Sequence, residues 1–91
     1  MLFIVRWEIH QSVRKAAIER FMKTGGAPPE GVKMLGRWHT VDGDSGIAIV
    51  ESTDIQAIGK WTLAWNDLLK MDVRPAMDDQ GLGAALMAMQ A

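Results

Sequence analysis

The chain has 91 residues, of which 48% are hydrophobic and 23% charged, and its formal net charge at pH 7 is −1. This length suits one domain with a small core, so burial against another chain is an attractive source of stability. A nearly neutral chain lacks the basic face that nucleic acids require, so we expect no nucleic-acid partner. The sequence has no cysteine, which excludes disulfides, thiolate nucleophiles and cysteine-based zinc sites.

The opening segment, MLFIVRWEIH, begins with only five apolar residues before Arg6 and Glu8. That stretch is too short for the apolar part of a signal peptide and for a membrane span. We therefore expect a cytoplasmic protein without a membrane partner.

The first strand is predicted from about Leu2 to Ile9, where aromatic and β-branched residues alternate. In QSVRKAAIERFMKTGG, the apolar residues recur every three to four positions, which predicts an amphipathic helix. Ser12 is its expected N-cap, and the Gly25-Gly26 pair is its expected left-handed stop.

The middle of the chain predicts a hairpin, a helix and a strand. VKMLGRWHT and SGIAIVES are joined by the turn residues DGD, which favour a β-hairpin. TDIQAIGKWTLAWNDLLK predicts a second helix, capped by Thr53 or Asp54 and carrying Trp61 and Trp65 on its core side. MDVRPAM predicts a fourth strand, and its Pro75 indicates a sheet edge.

The last segment, DDQGLGAALMAMQA, predicts a short helix with Leu82, Leu86 and Met89 on one side. Gly81 and Gly83 weaken this helix, so we expect it to become ordered against a partner.

The element order is therefore β-α-β-β-α-β followed by a tail. Right-handed crossovers place both helices on one face of a four-stranded antiparallel sheet, which predicts a ferredoxin-like α+β fold. We assign residues 1–78 to this domain and residues 79–91 to a C-terminal helical tail.

The alternation of side chains divides the predicted sheet into two faces. The face beneath the helices is expected to hold Phe3, Val5, Trp7, Met34, Trp38, Ala48, Val50, Met71 and Val73. The open face is expected to hold Leu2, Ile4, Leu35, Ile47 and Ile49, with the polar Arg6, Glu8, Arg37, His39, Glu51, Asp72 and Arg74. Exposing five apolar side chains forfeits on the order of 10 kcal/mol, so we expect two copies to pack face to face as a homodimer.

Charged side chains are seldom buried unless they are paired or line a wet cavity, so we expect a pocket between the two sheets. His39 is the candidate general base and Arg37 the candidate clamp for an acid or enolate. Glu51 is a candidate second acid or base. The alternative is that His39 only forms a hydrogen bond with Glu8 or Glu51 across the dimer.

Three further residues are candidates for binding a ligand. Arg6 and Arg74 either contact a ligand or form ion pairs with Glu8 and Asp72. Trp38 either packs beneath the helices or closes one end of the pocket. The two histidines lack the spacing of a metal site, and nothing in the sequence implies a cofactor.

Four segments and the tail resemble a small bacterial family of unknown function within the dimeric α/β-barrel superfamily. The segments are MLFIVRWEI, PPEGVKMLGRWHTVDG, IAIVES and KWTLAWNDLLKMDVRPAM. The resemblance implies a ferredoxin-like fold and a homodimer, but no established reaction. The wider superfamily includes cofactor-free monooxygenases, muconolactone-isomerase-like enzymes, haem-degrading enzymes, polyketide cyclases and stress-responsive proteins. The absence of tyrosine argues against a cyclase.

Three functions fit these observations. The first is a homodimer that binds a small apolar acid or carbonyl compound in its cavity. The second is a cofactor-free enzyme, monooxygenase-like or isomerase-like, that acts on such a compound. The third is a purely structural or stress-related dimer with a filled interface.

Overall fold

The computed structural model describes residues 1–90. Its elements are β1 (Leu2–Ile9), α1 (Arg14–Thr24), β2 (Lys33–His39), β3 (Ser45–Glu51), α2 (Ile55–Leu63), β4 (Leu69–Ala76) and α3 (Asp79–Met89). The strands form one antiparallel sheet in the order β2-β3-β1-β4. The predicted ferredoxin-like α+β fold is confirmed.

The first helix begins later than the sequence predicts and ends where it predicts. A 3-10 turn, Gln11–Val13, precedes α1, and no side chain of residues 1–90 caps either the turn or the N-terminus of the helix. The predicted N-cap by Ser12 is therefore wrong. At the other end Gly25 has a φ of 71°, and its N–H donates to the Phe21 carbonyl at 2.7 Å. The left-handed glycine stop is confirmed.

The second helix begins at the predicted cap, because the Asp54 carboxylate accepts from the Gln56 N–H at 2.9 Å. It ends at Leu63, earlier than the apolar pattern predicts. Arg20 on α1 donates to the Ala64 carbonyl at 3.0 Å. A side-chain donor at a helix C-terminus satisfies a carbonyl that would otherwise bind the next turn. The pattern of apolar residues in α2 contains no sign of this contact, because Arg20 belongs to another helix.

The core lies between the sheet and the two helices α1 and α2. Its buried members are Phe3, Val5, Val32, Ala48, Val50, Ala57, Ile58 and Trp61. A smaller cluster of Ala17, Leu68 and Leu69 joins α1 to the start of β4. In β1 the buried residues are odd-numbered, and in β3 they are even-numbered. The predicted inward orientation of both strands is therefore confirmed.

The pairing of β2 with β3 contains an irregularity. Met34 pairs with Val50, and Gly36 pairs with the next residue of β3, Ile49, so Leu35 has no partner of its own. An extra residue in one strand is a β-bulge. Because side chains alternate between faces, one inserted residue reverses the orientation of every side chain that follows it.

The bulge reverses the faces predicted for the second half of β2. Arg37 pairs with the fully buried Ala48, and it lies with His39 on the face covered by helices. Trp38 lies on the open face, 60% exposed, and its indole covers Gly36. The prediction that Trp38 faces the core and that Arg37 and His39 face outward is therefore wrong.

The predicted C-terminal helix is present as α3, but it contributes nothing to the core. None of its residues is buried. The molecule measures 53 × 27 × 18 Å, and an eight-residue strand is only about 26 Å long. The third helix therefore extends the molecule beyond the sheet. No helix within residues 1–90 is long and apolar enough to cross a membrane.

Candidate functional site

A cavity of about 60 Å³ lies between the sheet and the helices. One water needs about 10–15 Å³ measured in this way, so the cavity has room for several waters or a small apolar group. Its lining includes four aromatic side chains, Trp7, Phe21, Trp61 and Trp65, and the imidazole of His39. Arg37 is the other ionisable residue of the lining.

A second cavity of about 210 Å³ adjoins the first beside α1. The two cavities share five lining residues: Trp7, Phe21, His39, Trp65 and Leu69. His39 therefore lies where they meet, and it is exposed to solvent.

Two aromatic rings hold the imidazole of His39. The Trp7 ring lies 5.7 Å away at an interplanar angle of 67°, and the Phe21 ring lies 5.5 Å away at 76°. Both are edge-to-face contacts, which aromatic rings prefer over direct stacking. The side chains of Arg37 on the same strand and of Thr40, which follows the strand, bond to other groups. Among residues 1–90 we find no hydrogen bond to the imidazole, so its nitrogens are available to a ligand.

Arg37 is held in place by the end of α1. Its Nη1 donates to the Gly26 carbonyl at 2.9 Å, and its Nη2 donates to the Gly25 carbonyl at 3.0 Å. The guanidinium also lies 5.1 Å from the centre of the Phe21 ring. The guanidinium thereby satisfies two carbonyls that follow the last turn of α1. The visible role of Arg37 is to fasten α1 to β2.

A close approach at Gly26 accompanies this contact. Gly26 has a φ of 59°, and a Cβ there would lie 3.0 Å from the Arg37 Nη1 and 3.1 Å from the Phe21 ring. Only glycine tolerates both the left-handed backbone and the proximity of the two side chains.

An ion pair outside the cavity, between Arg20 and Asp67, holds the cavity residue Trp65 in place. Arg20 donates to both carboxylate oxygens of Asp67, at 2.9 and 2.8 Å, and its guanidinium lies 5.3 Å from the Trp65 ring. These hydrogen bonds hold the pKa of the Asp67 carboxyl below its ordinary value and raise the pKa of Arg20. The pair thereby positions Trp65 at the junction of α2 and β4.

The structure does not bring Glu51 to His39. His39 pairs with Gly46 near the start of β3, whereas Glu51 ends that strand and lies on the open face beside Leu2. Five residues of extended strand separate Gly46 from Glu51, a distance of about 17 Å. The two residues predicted as an acid and base pair therefore occupy different faces and different ends of the sheet.

The remaining candidates also lie on the open face, away from the cavity. Arg74 donates from Nε and Nη2 to the two carboxylate oxygens of Asp72, at 2.9 and 3.3 Å. The predicted ion pair between these residues is confirmed. Arg6 is the register partner of Asp72, but no ion pair joins Arg6 to Glu8 within residues 1–90.

The aromatic lining is the part of the site that the sequence did not reveal. Trp61 and Trp65 are predicted as core residues, and both do pack against the core. Their spacing fits a filled core and a cavity wall equally well. Phe21 carries no signal beyond its place in an amphipathic helix. Within residues 1–90 no group of three or more His, Asp or Glu side chains could hold a metal ion.

Comparison with known proteins identifies a family. No curated protein matches the sequence. One similar solved structure is described as "Structure of Rv0793 from Mycobacterium tuberculosis". It is 13% identical, with a TM-score of 0.43, and the match covers 86% of this chain and 95% of that one. A family model described as "Domain of unknown function (DUF3303)" matches residues 1–90. The chain therefore belongs to the DUF3303 family.

Proposed function

We propose that this protein binds a small, largely apolar molecule with a carbonyl or acid group in the aromatic cavity of each chain. The observation that carries the proposal is the position of His39. Its imidazole faces an aromatic cavity without a hydrogen-bond partner among residues 1–90 and lies at the junction with a second cavity. Ligand sites are typically apolar concavities with a few convergent polar groups.

The lining determines which chemistry fits. The rings of Trp7, Trp61 and Trp65 offer flat apolar surfaces, which favour an apolar ligand body. A neutral imidazole offers one N–H donor and one acceptor, and a protonated imidazole offers two donors. A carbonyl oxygen or a carboxylate placed at His39 therefore accepts a hydrogen bond while the rest of the ligand fills the cavity.

Arg37 makes a carbonyl the better fit. Two of its donors are occupied by the carbonyls of Gly25 and Gly26. A carboxylate bound end-on through Nη1 and Nη2 would compete with those bonds. A ligand that relies on His39 alone leaves the end of α1 intact.

A cofactor-free enzyme is the second candidate. The imidazole of His39 lines the aromatic cavity and has no hydrogen-bond partner among residues 1–90, which favours a general base, because an imidazole can both accept and donate a proton. In this function His39 removes a proton from a carbon next to the ligand carbonyl. Turnover of a bound ligand that stops in His39→Ala would distinguish an enzyme from a binding protein.

We also propose that two copies associate through the open face of the sheet. Leu35 and Trp38 are 49% and 60% exposed there, and Ile4, Ile47 and Ile49 form partly exposed rows between the strands. Monomers rarely leave so large a contiguous apolar surface in water. A second copy of the same face would cover it through a two-fold axis.

Thermal unfolding with a panel of small ketones, aldehydes and carboxylic acids tests the binding proposal. A ligand that binds only the folded state raises the Tm with its concentration. We expect at least one carbonyl compound to stabilise the wild type and the control His10→Ala, and to stabilise His39→Ala much less. Equal stabilisation of all three proteins, or no stabilisation by any compound, would contradict the proposal.

A further inference from the structure

The third helix is at best marginally stable as a free arm. It has eleven residues, and none of them is buried. Isolated helices shorter than about 12–15 residues are marginal in water, and each interior glycine costs about 0.8–1 kcal/mol relative to alanine. Gly81 and Gly83 both lie inside α3. The helix has a cap, since Asp78 accepts from the Gly81 N–H at 2.8 Å, but one cap does not replace packing.

The helix presents one apolar stripe. Leu82, Leu86 and Met89 recur at intervals of four and three residues, so they lie on one side. They are 46%, 49% and 80% exposed. Met87 is also exposed, at 72%, but its position points away from the stripe. A stripe of this kind on an otherwise unsupported helix needs a complementary apolar surface.

We propose that α3 packs on a second copy of this chain, with its stripe against Leu35 and Trp38 at the β2 edge of that copy's open face. This inference rests on the proposed homodimer. Each copy contributes one arm and one receiving edge, so the contact occurs twice about a two-fold axis.

The topology explains why the arm does not cover its own β2. The helix starts from β4, and β2 is the opposite edge of the sheet. Three strand spacings, about 14 Å, separate the two edges. The chain has only Met77 and Asp78 between β4 and α3. In the single chain α3 extends away from the sheet while Leu35 and Trp38 stay exposed.

The area that a stable dimer needs supports the arm exchange. Four strands of seven or eight residues present a face of about 480 Å², from spacings of about 4.8 Å between strands and 3.3 Å along them. Stable interfaces bury at least about 600 Å² per partner. One side of an eleven-residue helix adds about 160 Å², from a length of about 16 Å and a width of about 10 Å. The arm therefore enlarges the area that each copy offers to the interface by about one third.

The charge of α3 favours a protein partner over a membrane. The helix contains Asp79 and no lysine or arginine. Helices that lie on membranes usually carry cations on their polar face, which attract anionic lipids. An uncharged stripe with an acidic first turn fits an apolar protein surface better.

Sedimentation equilibrium of full-length variants tests the contact. We expect the wild type to be a dimer and Leu86→Glu to raise the dimer dissociation constant by about tenfold or more. The matched control Met87→Glu adds the same charge at a position that points away from the stripe, and we expect it to change the constant less than about twofold. Circular dichroism establishes that each variant is folded.

Cross-linking between introduced cysteines locates the contact. The sequence has no cysteine of its own, so only the introduced thiols can react. Copies carrying Leu86→Cys are mixed with copies carrying Leu35→Cys and treated with a short bismaleimide. We expect a cross-linked pair, and none when Leu35→Cys is replaced by Leu63→Cys, whose exposed site lies on α2 behind the sheet.

The outcomes separate the two proposals. A monomeric wild type at micromolar concentration would overturn both the homodimer and the arm contact. A dimeric wild type, with an unchanged constant in Leu86→Glu and no cross-link to position 35, would overturn the arm contact and leave the homodimer intact. Binding of the wild type but not Leu86→Glu to phosphatidylcholine vesicles, without an effect on dimerisation, would assign the stripe to lipid and overturn the inference.

Discussion

The indole of Trp7 lies directly over Gly46, its register partner on β3, so that a Cβ at Gly46 would stand 2.2 Å from the Trp7 ring. The absence of a side chain at Gly46 lets Trp7 lie flat on the sheet. In that position Trp7 forms a wall of the cavity and contacts the edge of His39.

Gly46→Ala is expected to displace Trp7 and to destabilise the protein by about 1–3 kcal/mol, because overpacking forces neighbouring side chains from their places. Urea unfolding followed by tryptophan fluorescence measures this loss. Gly59→Ala is the control, since a Cβ there meets nothing within 4 Å and the position lies inside α2. It should be stabilising, by about 0.5–1 kcal/mol. An unchanged free energy of unfolding in Gly46→Ala would contradict the close approach of the Trp7 ring to Gly46.

Arg37→Ala should destabilise the protein by about 1–3 kcal/mol, because the Gly25 and Gly26 carbonyls lose their donors. Arg37→Lys should restore little, since an ammonium cannot make both bonds with the geometry of a guanidinium. Arg74→Ala breaks only an exposed ion pair and should cost less than about 1 kcal/mol. Equal losses in Arg37→Ala and Arg74→Ala, measured by thermal unfolding, would show that Arg37 does not fasten α1.

The side of the sheet on which Trp38 lies predicts how its removal acts. Trp38→Ala should leave monomer stability within about 1 kcal/mol of the wild type, because 60% of the residue is exposed. Trp61→Ala should cost about 3–5 kcal/mol, because Trp61 is only 9% exposed in the core. Chemical denaturation at concentrations below dimer formation compares the two. If Trp38→Ala lost as much unfolding free energy as Trp61→Ala, Trp38 would have to pack beneath the helices.

The Arg20–Asp67 pair predicts a stability change in acid. The pKa of the Asp67 carboxyl is lowered in the folded chain by its hydrogen bonds from Arg20. A carboxyl with a lowered folded pKa contributes stability above its unfolded value of about 3.9, and loses it as the pH falls through the folded value. The wild type should therefore exceed Asp67→Asn in Tm at neutral pH, and the difference should shrink below about pH 4.

A double-mutant cycle isolates this pair from other carboxyls. In an Arg20→Met background, Asp67→Asn should have little effect at neutral pH, because the donor is already missing. A pH-independent difference between wild type and Asp67→Asn, or an undiminished effect in the Arg20→Met background, would contradict the assigned cause.

The strand and helix periods of the sequence predict the fold, because both reflect burial on one side of each element. The faces of β2 could not be predicted, since the bulge at Leu35 depends on how β2 meets β3 and not on its own alternation. The hydrogen bond from Arg20 to the Ala64 carbonyl at the end of α2 comes from another helix, so the sequence of α2 alone does not contain it. The cavity exists because its aromatic side chains leave space between them. The spacing of these residues along the sequence does not predict whether they fill the core or leave a space.

The central claim is that the bulge turns His39 toward the cavity between the sheet and α1. The sequence has two histidines, so the imidazole protons of His39 can be assigned by comparison with His10→Ala. A nuclear Overhauser spectrum should show cross-peaks from the His39 ring to the rings of Phe21 and Trp7. Cross-peaks to the side chains of Ile47 and Ile49, with none to Phe21, would place His39 on the open face and contradict the claim.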